Sequence, residues 1–136
     1  MYSQKLSEGS CYSILWDNQL EILKVNFKID SKILKNDFKK NFVSQIETIQ
    51  SKKPKKVIID NNQQQHKIIQ DLQWWMNVQY AEVFHNSRTQ KLAWIVSNDF
   101  LQKYILYNMI TPEELEGFLK TQYFSKEFDA IEWLKL

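Results

Sequence analysis

The sequence predicts a single-domain α/β fold: a mixed β-sheet entered through an N-terminal antiparallel hairpin, continued by βα units, with helices packed against the sheet. Three observations carry this reading. Period-two alternation occupies residues 12–27, and apolar positions at helical spacing fill much of the remaining chain. Short apolar runs bounded by polar or charged residues interrupt those helical stretches. Strands alternating with helices in this manner build a sheet with a parallel part.

In the hairpin, Tyr12, Ile14 and Trp16 alternate with Ser13 and Leu15, and Leu23, Val25 and Phe27 alternate with Lys24 and Asn26. Asp17, Asn18 and Gln19 between them are turn formers. From Ser31 the period changes. Leu34, Phe38, Phe42, Ile46 and Ile49 make one stripe of an amphipathic helix. Asp30 or Ser31 is expected to cap it, and Pro54 ends it before Lys53, because a residue ahead of proline is disfavoured in helical geometry.

Val57-Ile58-Ile59 then reads as a strand buried on both faces. Residues 61–65 are polar and read as a loop, followed by a helix from Ile69 or Gln70 to His85 whose inner stripe is Leu72, Trp75 or Met76, Tyr80 and Val83. Leu92 to Val96 is a second buried strand. A third helical stretch starts near Asn98 or Asp99 and carries Phe100, Leu101, Tyr104, Ile105 and Tyr107. Thr111-Pro112-Glu113-Glu114 reads as a further helix start. Thr121 to Phe124 is a last strand, and Ser125 is expected to cap a terminal helix bearing Phe128, Ile131, Trp133 and Leu134.

A chain of 136 residues fits one domain, long enough to bury roughly two-thirds of its unfolded surface. Met1–Ser10 is polar and reads as a leader ahead of a domain spanning 11–136. The single cysteine, Cys11, cannot form an intramolecular disulfide, and no apolar h-region or membrane-length run is present, so a cytoplasmic protein without a membrane span is expected. Eighteen basic residues against 16 acidic ones, with Arg88 the only arginine, argue against a nucleic-acid reader.

Function is bounded chiefly by absences. With glycine only at positions 9 and 117, no phosphate-cradling glycine motif is possible; C-x-x-C, H-E-x-x-H and G-x-S-x-G are also missing. No catalytic residue, metal site or cofactor is therefore expected. Cys11, His66 and His85 have the chemistry of a nucleophile and its bases, but a cysteine beside a strand is more often a small hydrophobe. The Lys52-Lys53-Pro54-Lys55-Lys56 run is a basic patch whose simpler reading is a solvated helix-to-strand connection.

Asp60, Asn61 and Asn62 follow one buried strand, and Ser97, Asn98 and Asp99 follow the next. In open α/β sheets ligands and partners gather outside the carboxyl ends of the strands, so these two clusters, with His66, form the candidate binding face. Asn and Asp are also ordinary turn and cap formers. Trp74 and Trp75 are adjacent on a helix and cannot share one core; Trp74 is placed with the candidate face, and burial of both remains the other arrangement.

The element order and several local stretches resemble the sulfate-transporter and anti-sigma-factor-antagonist (STAS) superfamily, especially its small stand-alone bacterial members. The stretches are Val57–Asp60, Gln73–Trp75, Lys91–Val96, Tyr123–Ser125 and Ala130–Leu134. The resemblance implies a compact domain used mainly to bind another protein. It departs at the phosphorylation switch. Where antagonists carry a D-S-S-G-like text, this chain has Asp60-Asn61-Asn62-Gln63 or Asp71-Leu72-Gln73-Trp74, with no serine or threonine to modify. The expected function is thus a non-enzymatic interaction module with a protein partner or a second copy of itself. The alternative is a small apolar-ligand or lipid carrier.

Overall fold

The computed structural model describes residues 2–63, 66–107 and 119–136. Among these residues six strands form one mixed sheet in sequential order: β1 (Gln4–Glu8), β2 (Tyr12–Asp17), β3 (Ile22–Phe27), β4 (Lys56–Asp60), β5 (Lys91–Ile95) and β6 (Lys120–Phe124). The pairs β1–β2 and β2–β3 are antiparallel; β3 through β6 run parallel. The described helices are α1 (Lys35–Lys52), α2 (Lys67–Asn86), α3 (Asn98–Tyr107) and α4 (Glu127–Lys135). The α/β class and mixed sheet read from the sequence are what the structure has.

Alternation decides which helix covers which face. Ile14, Trp16, Leu23, Val25, Val57, Ile59, Leu92 and Trp94 point to one side, where α1 contributes Phe38, Phe42 and Ile49 and α2 contributes Ile69, Leu72, Met76, Tyr80, Val83 and Phe84. Phe100 and Leu101 of α3 pack against the same cluster. The opposite side buries Ile22, Ile58, Ala93 and Ile95 under Ala130, Ile131 and Leu134 of α4. Apolar residues on both faces of β4 and β5 are why those strands read as continuous hydrophobic runs. Inside the larger core, the Tyr80 hydroxyl donates to Gln45 Oε1 at 2.6 Å, tying α2 to α1 through a fully buried pair.

Four local expectations are corrected. Residues 4–8, set apart as leader, form edge strand β1. Its charges, Lys5 and Glu8, and a register shift between Lys5 and Ser7 are typical devices of a protected sheet edge. Neither Asp30 nor Ser31 caps α1. The helix begins after Leu34 without a side-chain cap, because the Asp30 carboxylate accepts the Lys32 N–H at 2.8 Å in a local turn. Helix α2 starts earlier than its apolar stripe because His66 Nδ1 accepts the Ile68 N–H at 3.2 Å. At α4 the capping position falls on Lys126, not Ser125, again without a side-chain bond. The helix start read at Thr111 lies outside the described residues.

Candidate functional site

Strand register brings the two polar clusters to one edge. Asn26, Asp60, Ile95 and Phe124 are level across β3, β4, β5 and β6, and the Asn61 N–H donates to Ile95 O at 2.7 Å. Asp60–Asn62 and Ser97–Asp99 therefore leave adjacent strands side by side, as the sequence leads one to expect. Beyond them the polar side chains hold the backbone in place. Asp60 Oδ1 accepts both the backbone N–H and the side-chain amide of Asn62, at 3.3 and 2.6 Å. Gln63 Oε1 accepts the Ile29 N–H at 2.7 Å, and its amide donates back to Ile29 O at 3.4 Å, so the β4–α2 loop is clamped to the β3–α1 connection. Ser97 Oγ accepts the Phe100 N–H at 3.2 Å at the start of α3. There, Asp99 complements the positive end of the helix dipole.

Exposure sorts these residues. Asn61 is buried, Ser97 and His66 are half-buried, and Asn62, Asn98 and Asp99 are exposed. Trp74 is 67% exposed. It lies eight residues along the chain from His66, roughly 12 Å by helical rise, so it belongs to the outer flank of α2 and not to the strand-end cluster. Trp75 turns the other way: its ring centroid is 5.1 Å from Phe42, with the Lys39 ammonium 5.4 Å over it. The adjacent tryptophans are divided between solvent and core.

The structure adds three residues that the sequence did not point to. Lys24, only 8% exposed, places its ammonium 2.9 Å from Glu127 Oε1 and 3.9 Å from Asp60 Oδ2. The Tyr2 hydroxyl donates to the same Glu127 oxygen at 2.5 Å, and the Tyr2 ring lies 5.6 Å from the Lys24 ammonium. Burial, and secondly the bond to Glu127, raise the Tyr2 hydroxyl pKa well above its ordinary value. Lys24 is the outward residue of an alternating hairpin strand and therefore reads as solvent-facing. The signal that α4 covers it is indirect: Val57-Ile58-Ile59 is apolar on both faces.

The two histidines do not meet, and the Cys11 sulfur lies against Ser10. Cys11 is buried with its sulfur 3.8 Å from Ser10 Oγ, and desolvation raises its thiol pKa, which disfavours the reactive thiolate. His66 and His85 stand at opposite ends of α2, roughly 28 Å apart by helical rise. Among the described residues no group of three or more His, Cys, Asp or Glu is placed to hold a metal ion, and no helix is long and apolar enough to cross a membrane.

Depressions lined by Leu6, Glu47, Thr48, Ser51 and Lys52 (about 400 Å3) and by Ser10, Asp30, Lys32, Ile33, Asp37, Lys40 and Asn41 (about 370 Å3) are open to solvent. The apolar void behind Cys11, Phe27, Phe38 and Phe42 is too small to hold a water molecule.

Comparison with family models, with curated proteins and with solved structures finds no match to the chain.

Proposed function

We propose that the chain is a non-enzymatic protein-interaction module of STAS-like type, acting through a protein partner or a second copy of itself. The interaction face joins the strand ends at Asp60, Asn62, Asn98 and Asp99 to the flank of α2 that carries Trp74. The observation that carries this is Trp74, an indole 67% exposed on the outer flank of α2, on the helix that follows a loop tied down through Asp60 and Gln63. Large exposed aromatics supply contact area at interfaces, and a loop clamped in advance loses little freedom on binding.

The STAS-like part of the reading is supported by element order and by the position of Asp60-Asn61-Asn62-Gln63 between β4 and α2. Asp71-Leu72-Gln73-Trp74, the other stretch compared with the family's phosphorylated text, lies inside α2. The four residues at the loop offer no hydroxyl for phosphate, so partner exchange on this face is controlled by something other than phosphorylation at that place.

An apolar-ligand carrier needs an enclosed apolar chamber of about 300 Å3 or more. Neither open depression described above, nor the small void behind Cys11, is such a chamber. The interaction reading is tested by pull-down with the native chain against Asn62→Arg, which puts a long cation on the exposed strand end. Partners lost from the variant support the face; identical partner sets reject it.

A further inference from the structure

The amino ends of the parallel strands carry positive charge gathered from separate stretches of chain. Register sets Lys56, Lys91 and Lys120 side by side at the starts of β4, β5 and β6, on the face that also carries Ile58, Ala93 and Ile95. Strands lie about 4.8 Å apart, so the row spans roughly 10 Å. Like charges on directly neighbouring strand positions are destabilising, so packing alone gives no reason for three in a row. Lys53, Lys55 and Arg88 join them from the connections that enter β4 and β5. Lys53 and Arg88 have φ of 51° and 54°, where glycine would be the unstrained choice.

Part of this charge serves the fold. The carboxyl ends of α1, α2 and α4 come to the same end of the sheet, and cations suit them. Lys55 Nζ donates to Ser87 O at 2.9 Å and Lys91 Nζ to Trp133 O at 3.0 Å. Lys53, Lys56, Arg88 and Lys120 make no ion pair among the described residues. Of the nearby acids, Asp17 accepts the N–H groups of its own turn and Glu132 pairs with Lys135, while Glu21 is exposed.

We propose that this end of the sheet docks on an anionic membrane surface, its lysines meeting lipid headgroup phosphates and carboxylates. Polybasic clusters are drawn to such a surface, each lysine or arginine adding to the affinity. Nucleic acid fits less well. Arg88 is the only arginine, and two tryptophans near this end already have lysines over their rings: Lys52 lies 4.1 Å from the Trp16 centroid and Lys91 5.0 Å from that of Trp133. Base stacking needs free aromatic faces. Docked this way, the domain would direct Asp60, Asn62 and Asn98 away from the lipid.

The test is co-sedimentation of the full chain with phosphatidylcholine vesicles, with and without phosphatidylserine, at low and physiological salt. Binding that requires phosphatidylserine and weakens with salt is expected. Charge reversal at Lys53, Lys56 and Lys120 to Glu should reduce it at least about tenfold. Reversal at Lys32, Lys35 and Lys40, exposed near the start of α1, should leave most of it. If the first triple variant does not fold, Lys56→Gln with Lys120→Gln gives a smaller loss in the same direction. No phosphatidylserine-dependent binding, equal losses in both triple variants, or tighter binding to duplex DNA than to these vesicles at equal salt would overturn the proposal.

Discussion

The Lys24 ammonium lies 2.9 Å from the Glu127 carboxylate, joining the middle of β3 to the first turn of α4 across the sheet's second face. Their side chains are 10% and 33% exposed, so the pair is partly screened on one side only. Removing Glu127 leaves Lys24 with Asp60 at 3.9 Å as its remaining acid, and Tyr2 loses its acceptor. Glu127→Ala is expected to cost about 1–3 kcal/mol. Lys24→Met should cost less, because it removes the more deeply buried charge and fills the same volume. Urea denaturation of both variants checks the order; a larger loss in Lys24→Met would contradict it.

Gly9 closes the turn between β1 and β2, its N–H donating to Tyr12 O at 2.9 Å. A Cβ here would collide with Asn41 Oδ1 and the Tyr12 ring. Asn41 Oδ1 also accepts the Cys11 N–H at 3.1 Å, and Tyr12 is 1% exposed, so neither neighbour yields freely. Gly9→Ala is expected to destabilise by about 1–3 kcal/mol through overpacking, read as a lower urea midpoint. An unchanged midpoint would show that β1 is not held as described.

The adjacent tryptophans should separate in stability measurements. Trp75→Ala removes the contact with Phe42 and should cost about 3 kcal/mol, whereas Trp74→Ala should stay within about 0.5 kcal/mol. Iodide quenching should fall more in Trp74→Ala than in Trp75→Ala, since the Trp74 indole is 67% exposed and Trp75 is half-buried.

Two tyrosines are expected to make stability fall at alkaline pH. Burial, then the bond to Glu127, raises the Tyr2 pKa; burial also raises that of Tyr80, with the bond to Gln45 opposing it. A raised native value means that the folded state holds protons the unfolded chain releases. The associated stability is complete below the ordinary tyrosine value near 10 and is lost as pH climbs above it. Urea midpoints between about pH 9 and pH 11 should decline, and Tyr2→Phe should flatten part of that decline. An identical slope in Tyr2→Phe would remove Tyr2 from the account.

How much was legible follows from what each element depends on. The hairpin, β4 and β5 are stated by local periodicity, because their inward residues are apolar and close in sequence. Edge strand β1 was not legible: Gln4–Glu8 has one apolar residue, Leu6, and its pairing with β2 is a tertiary choice. Caps failed where a side chain had a competing local bond, as with Asp30, and α2 began early because a histidine ring did the work of a capping oxygen. The strand-end cluster was legible from adjacency of two strands. Lys24, Tyr2 and Glu127 were not, since their meeting depends on α4 folding across a face that alternation marks as polar.

The proposed interaction places a protein partner on the face bearing Trp74. Its most direct test is titration calorimetry of the chain with the partner captured by pull-down, comparing Trp74→Ala with Phe128→Ala. Phe128 is 69% exposed, close to the 67% of Trp74, but stands on α4, which covers the opposite side of the sheet from α2. The account predicts an affinity loss of about tenfold or more for Trp74→Ala and an unchanged affinity for Phe128→Ala. Equal effects, or a loss confined to Phe128→Ala, would contradict it.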